Sequence, residues 1–495
     1  MAQIKTPGVY PIEESAFPNS VVEVATAVPA FLGYTEKAAR GTKSLTNVPT
    51  RISSLAEYQL LFGGPPSVKY DVTDTDGVLT ASPSASTQFQ LFYGLRMFFD
   101  NGGGACWIVS VGGYGDAANP TVKSKSNFDG AWGPLDKEQE PTMVVVPDAV
   151  LLPQDDYIGV ANKALADCAT LKNRVALLDV FDGHKARTHD DTDVISGTKG
   201  FRNAIENDGM SYGMAYYPWL HTNVLSATDV SYLNLTEAGA GVLHDAIAKA
   251  FADAGETSAF LTNELGKIKT APPSANALTK THQTLWGASI LYKEVMGEIL
   301  NEINVMPPSS AMAGVYTRTD NSEGVFKAPA NTGIIGALAP TVNISRVEQE
   351  DLNVPLDGKA INAIRTFMGR GVLVWGARTL DGNSQDWRYI NVRRTLIMLE
   401  QSISFAAQTY VFAPNDAGTW QTMRTMIENF LNNQWKAGAL VGAKPEDAYE
   451  VSVGLGATMT ANDILDGYMR VMVKVAIVHP AEFIVITFQQ KMQTS

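Results

Sequence analysis

The alternation of apolar strand-like and helix-like segments between residues 28 and 217 constrains this chain more than any other feature. Segment length and apolar spacing predict which segments are strands and which are helices. The predicted strands are 28–34, 106–111, 142–146, 175–180 and 211–217, and the predicted helices are 53–62, 89–99, 157–171 and 201–205. Strands that alternate with helices form largely parallel sheets covered by helices, so an α/β layer is predicted.

The second half of the chain has a different pattern. Residues 236–303 have helical periodicity, with a predicted break at the Ala-Pro-Pro-Ser sequence that begins at Ala271. Residues 355–495 are predicted to form a separate unit with a strand at 371–380 and amphipathic helices at 391–411 and 420–435. Together the two halves predict a multidomain protein of mixed α/β and α+β class.

The two ends of the chain are predicted to be extended. Pro7, Pro11 and Pro18 prevent a helix near the start. Near the other end, alternating apolar residues predict a strand over 471–477, and a second apolar strand is predicted over 482–490. Soluble proteins pair such an edge, either within the chain or by donating the strand to a neighbour, and the residues alone favour neither.

Composition excludes several classes of function. The 495 residues predict two or three domains, and the net charge of −13 argues against a protein that neutralises nucleic-acid phosphates. The acidic excess lies before residue 355, since residues 355–495 carry 13 basic and 12 acidic side chains. Cys106 and Cys168 lie in apolar stretches and are predicted to be core thiols. Because no secretory signal or apolar run of spanning length is visible, we expect folding in a cytoplasm without membrane insertion.

Enzyme-like patterns are weak. One cluster has ligand chemistry suited to a divalent metal but matches no metal motif: Asp179, Asp182, His184, His189, Asp190, Asp191 and Asp193. The glycines after Asn101 follow a helix and precede a strand, the reverse of a phosphate-binding loop, so a tight turn is predicted. No nucleophile motif accompanies the histidines, and neither catalysis, a metal nor a cofactor is expected. The alternative interpretation is an α/β hydrolase or metal-dependent enzyme with a helical C-terminal domain.

Basic and aromatic residues in the C-terminal part form two further groups. Arg388, Arg393, Arg394, Arg424 and Lys436 are candidate contacts to an acidic partner or to a neighbouring subunit, against the alternative of a solvated helix face with local ion pairs. The tryptophans of this region are predicted to be core residues, and they are Trp375, Trp387, Trp420 and Trp435.

Several segments occur in one order along nearly the whole chain. They are residues 6–14, 27–33, 52–58, 98–103, 106–109, 325–331, 374–380, 387–394, 400–403, 412–415 and 480–484. In this order they resemble the tail sheath proteins of contractile phages and related contractile injection systems. The resemblance is weakest over 230–305.

The resemblance implies a structural function. Family members stack as hexameric rings into a helical sleeve around a rigid tube, in a metastable extended state. A trigger from the baseplate releases contraction, which drives the tube through a target envelope. The implied partners are other copies of the chain, an inner tube protein, baseplate and terminator proteins, and possible sheath paralogues. The implied setting is a phage tail or phage-like particle assembled in a bacterial cytoplasm, and a sheath-like baseplate or terminator component is a further alternative.

The resemblance also implies a division of the chain. Residues 1–25 are expected to be a linking arm, 26–350 an outer α/β domain with a helical subregion at about 230–305, 351–480 an inner sheath domain, and 481–495 a linking strand. Both ends are expected to add strands to a neighbour's C-terminal domain. The residues expected in these strands are Gly8, Val9, Tyr10, Ile12, Phe483, Ile484, Val485, Ile486 and Phe488.

Overall fold

The computed structural model describes residues 20–116 and 119–485. These residues divide into two compact units. The first, here called the α/β unit, comprises Ala25–Arg394 with the described residues from Pro480 onward. The second, here called the C-terminal unit, comprises Thr395–His479 with the described residues up to Val24.

The elements are numbered in chain order. The strands are β1 Pro29–Thr35, β2 Ala39–Arg40, β3 Lys43–Ser44, β4 Thr50–Ile52, β5 Tyr70–Thr75, β6 Val78–Pro83, β7 Cys106–Gly113, β8 Met143–Val145, β9 Val175–Asp179, β10 Gly213–Tyr217, β11 Leu220–Thr222, β12 Val305–Met306, β13 Ala337–Pro340, β14 Asn362–Phe367, β15 Gly371–Val374, β16 Tyr449–Val453 and β17 Val471–Val475. The helices are α1 Leu55–Phe62, α2 Leu91–Asp100, α3 Ser126–Leu135, α4 Gln154–Leu171, α5 Phe201–Ala204, α6 Glu237–Asp253, α7 Ala259–Gly266, α8 Ala275–Ala288, α9 Ile290–Ile303, α10 Ser309–Glu323, α11 Arg346–Asn353, α12 Ile390–Ala407, α13 Ala417–Lys436, α14 Pro445–Ala448 and α15 Ala461–Leu465.

An eight-stranded sheet organises the α/β unit, with the strand order β15-β14-β10-β9-β8-β1-β7-β4. The six strands from β14 to β7 pair in parallel, and the two edge strands are antiparallel to their neighbours. Every residue of β1, β8, β9 and β10 is buried, which means that both faces of the central sheet are covered. The predicted α/β layer with a largely parallel sheet is therefore confirmed.

Helices α2 and α10 pack against each other and against the central strands. Their contact is close because Gly94 of α2 lies against Ser310 of α10, where a Cβ atom would approach the Ser310 hydroxyl to 2.5 Å. Phe31 on β1 and Phe98 on α2 meet edge to face, with ring centroids 5.1 Å apart. These contacts place the core of the unit between the sheet and this helix pair.

The helical subregion divides as the sequence predicts, because α7 ends before the Ala271-Pro-Pro-Ser sequence and α8 begins after it. The subregion contains α6, α7, α8 and α9, and in each helix a serine or threonine hydroxyl accepts a hydrogen bond from a backbone N–H of the first turn. The capping residues are Thr236, Ser258, Ser274 and Ser289. Such caps satisfy backbone donors that a helix start leaves open, so each helix has a local reason to begin at its residue.

The C-terminal unit is built from α13, the last part of α12, and a two-stranded antiparallel ribbon of β16 and β17. Helix α13 begins at the cap Asp416, whose side chain accepts from the backbone N–H of Thr419 at 2.9 Å. Its buried face carries Met426, Ile427 and Phe430, and the helix packs against β16. The two predicted amphipathic helices of this region are confirmed.

The boundary between the two compact units lies 44 residues after the domain boundary expected at residue 351. The reason is the sheet, since β14 pairs with β10 in parallel and β15 extends the sheet by a hairpin. The predicted strand at 371–380 is present but ends at Val374. Residues 351–394 thus share the core of the α/β unit.

Neither unit contributes a candidate membrane span: among residues 20–116 and 119–485, no helix is both long and apolar enough.

Candidate assembly surfaces

The ribbon of β16 and β17 is the first candidate surface. The pairing sets Val451 opposite Val473 and Glu450 opposite Lys474. Val451 is buried, whereas the ammonium group of Lys474 pairs with the Glu450 carboxylate at 3.0 Å on the exposed face. The predicted alternation of valines along one face of β17 is therefore confirmed.

Both outer edges of this ribbon lack a partner strand among residues 20–116 and 119–485. The N–H of Ala476 donates to the carbonyl of Ala448, and the carbonyl of Ala476 accepts from Val441. Since backbone groups alternate in direction along a strand, the odd-numbered residues of β17 direct their N–H and C=O groups to the outer edge. The residues concerned are Val471, Val473 and Val475. A two-stranded ribbon with open edges is a template for strand addition.

The predicted C-terminal strand is only partly within the described residues. Phe483, Ile484 and Val485 form no strand, and their side chains are 71%, 79% and 89% exposed. Ile486 and Phe488 lie outside the described residues, as do Gly8, Val9, Tyr10 and Ile12 of the N-terminal segment. Residues 483–485 pair with no strand in the described part of the chain. The linking function of both segments stays a prediction.

The residue before this exposed run is firmly held. The carboxylate of Glu482 accepts hydrogen bonds from Asn353, Arg378 and Tyr389 of the α/β unit. The Arg378 guanidinium contributes two of them, from Nε at 3.0 Å and from Nη2 at 2.7 Å. No periodic pattern in the sequence indicates this cluster, because its four members are brought together only by the fold.

Two of the candidate contact arginines are not surface residues. Arg394 is buried and forms an ion pair with Asp320, at 2.8 and 2.6 Å. Arg393 is also buried, with its guanidinium 3.7 Å from the ring centroid of Trp387 and bonded to Ser211 at 2.9 Å. The expectation that they contact an acidic partner, such as an inner tube, or a neighbouring subunit does not fit these positions. Helical periodicity does not predict this burial, because both arginines lie in the first turns of α12, where the helix is buried on all sides.

The other three candidates remain accessible. Arg424 and Lys436 lie on α13 and are exposed, and Arg424 pairs with Glu428 one turn later at 2.7 Å. Arg388 is half-buried and lies 4.9 Å from the ring centroid of Tyr389. Contact of these residues with a partner stays a prediction.

The four tryptophans are less buried than predicted. Trp375 is 36% exposed and packs against Phe367, with ring centroids 4.3 Å apart, so the core assignment is wrong for this residue. Trp387, Trp420 and Trp435 are half-buried. The indole N–H of Trp420 donates to Asn415 and that of Trp435 to the carbonyl of Gly442, which fixes each ring at the rim of its core. Both cysteines, by contrast, are buried and free, as predicted.

The acidic and histidine cluster forms a folded loop. Asp193 organises it by accepting from the backbone N–H groups of His189, Ile195 and Ser196 and from the Arg187 guanidinium. Burial would raise the pKa of Asp193, but these hydrogen bonds hold it far below its usual value. Asp179 lies apart, at the end of β9. Within residues 20–116 and 119–485 no group of three or more potential ligands is placed to hold a metal ion.

The glycines after Asn101 make a turn, as predicted. Gly102 has φ +97, which a residue with a side chain seldom adopts. Asn101 is buried, and its side chain bonds both the N–H and the carbonyl of Ile335, at 2.8 and 3.0 Å. The turn therefore joins α2 to β7 and to the segment before β13, with its polar groups satisfied internally.

Two buried carboxylates, Asp148 and Asp179, have a role that the sequence pattern did not predict, since Asp179 was a candidate metal ligand and Asp148 was not a candidate. Asp148 accepts from the N–H groups of Tyr34 and Gln90, at 2.7 and 2.5 Å, and burial raises its pKa to about 6. Asp179 accepts from the N–H and hydroxyl of Ser309, at 2.7 and 2.5 Å, and burial raises its pKa to about 7. Each lies at the start of a core helix, so their chemistry is that of helix caps.

Comparison with known proteins gives consistent matches. A family model for the phage tail sheath C-terminal domain matches residues 383–491. The tail sheath protein of Burkholderia phage BcepMu is 28% identical over 149 residues, which is 29% of this chain and 31% of that protein. The match thus spans about a third of the phage protein's length.

Two solved structures match over nearly the full length. A chain of the helical sheath of the anti-feeding prophage in its contracted state is 28% identical, with a TM-score of 0.60, and the match covers 99% of this chain and 100% of that one. A chain of the sheath complex of the PVC extracellular contractile injection system, also contracted, is 26% identical with a TM-score of 0.60, and the match covers 99% of both chains. The mixed α/β multidomain fold is therefore the fold of these sheath chains.

Proposed function

Because this chain belongs to the contractile tail sheath family, we propose that it is the structural subunit of a contractile sheath. Subunits stack as hexameric rings around an inner tube and contract from a metastable extended state to drive that tube through a target envelope. The observation that carries the proposal is the match to a helical sheath chain, which covers 99% of this chain at 28% identity. A family of structural proteins has no need of a catalytic centre, and the proposed function involves none.

The ribbon supports the way in which subunits are linked. The outer edges of β16 and β17 are open in the described part of the chain, and residues 483–485 are apolar and exposed. An extended segment that completes a neighbour's sheet gains main-chain hydrogen bonds and buries apolar side chains. We therefore assign residues 481–495 and residues 1–25 as linking segments that add strands to the ribbons of neighbouring subunits.

The charge distribution supports an arrangement in the particle. The acidic excess lies before residue 355 and suits a solvated exterior, whereas the nearly neutral C-terminal part suits a face against a partner. Residues 355–495, which include Arg424 and Lys436 exposed on α13, are proposed to face the tube, and residues 26–350 are proposed to face solvent. Labelling of surface lysines on assembled particles tests this, because stronger protection of residues 26–350 than of residues 355–495 would contradict it.

The proposed partners follow from the same function. They are further copies of this chain, an inner tube protein, baseplate and terminator proteins, and sheath paralogues where the same particle carries them. The particle is a phage tail or a phage-like injection device, assembled in a bacterial cytoplasm.

Electron microscopy of the purified chain, with and without its tube protein, tests the function. Striated cylinders are the expected result, and uniform small particles under every condition would contradict it. Two truncations test the linking segments, one lacking residues 1–18 and one ending after Ala481. Each is expected to remain folded without forming cylinders, and long cylinders from either would refute the linking function of that segment.

A further inference from the structure

Four hydrogen bonds converge on the carboxylate of Glu482. Asn353 Nδ2 donates at 2.6 Å, Arg378 donates from Nε at 3.0 Å and from Nη2 at 2.7 Å, and the hydroxyl of Tyr389 donates at 3.1 Å. The Arg378 side chain is only 5% exposed and that of Glu482 19%. Two-point pairing of a guanidinium with a carboxylate in such a site is strong and geometrically specific. Burial alone would raise the pKa of Glu482, but these bonds hold it below its usual value.

Arg378 is itself fixed to the large sheet. Its Nη1 donates to the carbonyl of Gly382 at 2.9 Å, and its backbone N–H donates to the side chain of Asn362 at 2.8 Å. Asn362 is the first residue of β14 and is buried. The guanidinium is therefore a rigid point of the α/β unit, and Glu482 is fastened to that point.

The environment of the chain changes between Glu482, which is hydrogen-bonded to the α/β unit, and Phe483, which is exposed. Glu482 is followed at once by Phe483, Ile484 and Val485, whose side chains are largely in solvent. Before it, the N–H of Val478 donates to the carbonyl of Ala439 at 3.1 Å. Glu482 thus stands between the ribbon and the proposed linking strand.

We propose that Glu482 is a positioning residue, which fixes the point on the α/β unit from which the C-terminal linking strand leaves the subunit. This inference rests on the proposed function, because it assigns to Glu482 the task of holding the start of the proposed linking segment. Without the contact between Glu482 and Arg378, the origin of the strand would lie farther back in the chain, and each residue released in this way adds roughly 3.5 Å of reach. A fixed origin raises the effective concentration of the strand at the neighbour's ribbon.

The contact between Glu482 and Arg378, here called the anchor, also determines which part of the subunit bears a pull on the linking strand. When a linked neighbour pulls on the segment after Glu482, the first fixed point that the tension reaches is the Arg378 guanidinium, which belongs to the α/β unit. The hydrogen bonds of β17 lie beyond that point in the chain and are relieved of the pull. The linking strand can then stay attached while subunits change their arrangement, without peeling the ribbon to which it is joined.

The test compares two Glu→Gln variants in full-length chains. Glu482→Gln places an amide donor against the Arg378 and Asn353 donors, whereas Glu350→Gln removes a carboxylate that pairs with Arg346 on the exposed face of α11. The expected result for Glu482→Gln is a yield of cylinders at least tenfold lower from a chain that still folds, with a lower thermal unfolding midpoint because the buried Arg378 guanidinium loses its counter-charge. Glu350→Gln is expected to assemble like the parent. Parent-like assembly of Glu482→Gln would overturn the proposal.

Two further variants keep the proposal testable if Glu482→Gln fails to fold. Tyr389→Phe removes one of the four hydrogen bonds, so an intermediate yield is expected, and a parent-like yield together with a non-folding Glu482→Gln would assign the cluster to folding alone. Glu482→Asp keeps the charge, and partial rescue relative to Glu482→Gln is expected. If the parent chain itself forms no cylinders with its tube protein, the proposed function fails first, which separates the two failures.

Discussion

Arg394 and Asp320 form a two-point ion pair in which each side chain is only 3% exposed. The two terminal nitrogens of the Arg394 guanidinium, Nη1 and Nη2, donate to the carboxylate, and the Thr26 hydroxyl donates to it at 2.6 Å. The guanidinium also lies 4.6 Å from the ring centroid of Tyr316. The pair joins α12, α10 and the segment before β1 within the α/β unit, so three distant parts of the chain depend on one contact.

Replacement of Asp320 by Asn is expected to lower the free energy of unfolding of the α/β unit by about 3–5 kcal/mol, because it leaves a buried guanidinium without its counter-charge. Chemical denaturation followed by tryptophan fluorescence measures it. The control is Glu428→Gln, which breaks the exposed pair with Arg424 and is expected to cost less than about 1 kcal/mol. Equal effects of the two variants would contradict the assigned importance of burial.

The contrast between Arg394 and Arg424 also shows what sequence can predict. Both lie in helices whose positions were predicted from apolar periodicity, and the sheet strands were predicted in the same way. Burial was not predictable for Arg394, because its partner Asp320 lies 74 residues away in the chain and no local pattern announces the pair. Local pattern thus gives elements, whereas the pairing of charges depends on which elements the fold brings together.

The same distinction between local pattern and long-range contact applies to the candidate assembly surfaces. Alternation of valines is a local signal, and it predicted β17 correctly. The anchor at Glu482 gave no such signal, since its partners lie on three separate segments. The extension of the sheet by β14 and β15 was missed because the sequence break near residue 351 precedes strands that return to the first sheet.

The free energy of unfolding should depend on pH because the pKa of Asp179 differs between the folded and the unfolded chain. Its pKa is about 7 in the folded chain and roughly 4 in an unfolded one, so the folded chain binds more protons between these values. The free energy of unfolding therefore gains a contribution as pH falls from 8 to 5, at most about 1.4 kcal/mol per pH unit. Below the unfolded value the contribution is complete, and above the folded value it is absent.

Asp179→Asn removes this contribution, and denaturation at pH 5, 6, 7 and 8 measures the loss. His184 and His282, whose pKa values burial lowers, oppose the trend in the same range, so the informative quantity is the difference between variant and parent. Asp190→Asn is the control, because hydrogen bonds from Thr192 and Thr188 lower the pKa of Asp190 and keep it charged throughout. Parallel pH profiles for Asp179→Asn and the parent would contradict the raised pKa.

Phe412 offers a change that should stabilise the chain. It has φ +68 and a fully exposed side chain, so the backbone is strained without any burial in return. Asn adopts this left-handed conformation more readily, and Phe412→Asn is expected to raise the free energy of unfolding by roughly 0.5–1 kcal/mol. Phe405→Asn, within α12, is expected to lower it instead. Unfolding of the unassembled chain measures both, and a loss of stability in Phe412→Asn would contradict the strain argument.

The open edge of β17 leads to a prediction that separates folding from assembly. Val473 directs its N–H away from β16, whereas Met472 directs its N–H toward Ser452 of β16. Proline has no N–H and is tolerated on a strand edge that has no partner. Val473→Pro is therefore expected to keep the ribbon and to lose no more than about 2 kcal/mol of stability, whereas Met472→Pro should disrupt the β16–β17 pairing.

Assembly should respond differently from folding. If a neighbour's strand pairs with the outer edge of β17, the missing N–H and the proline ring at position 473 block that pairing, and cylinders counted by electron microscopy should fall at least tenfold. Val473→Thr keeps both the N–H and the branched side chain, so it should assemble like the parent. Normal cylinders from a folded Val473→Pro chain would show that this edge takes no strand, and the incoming segment would then have to pair with the other open edge, along β16.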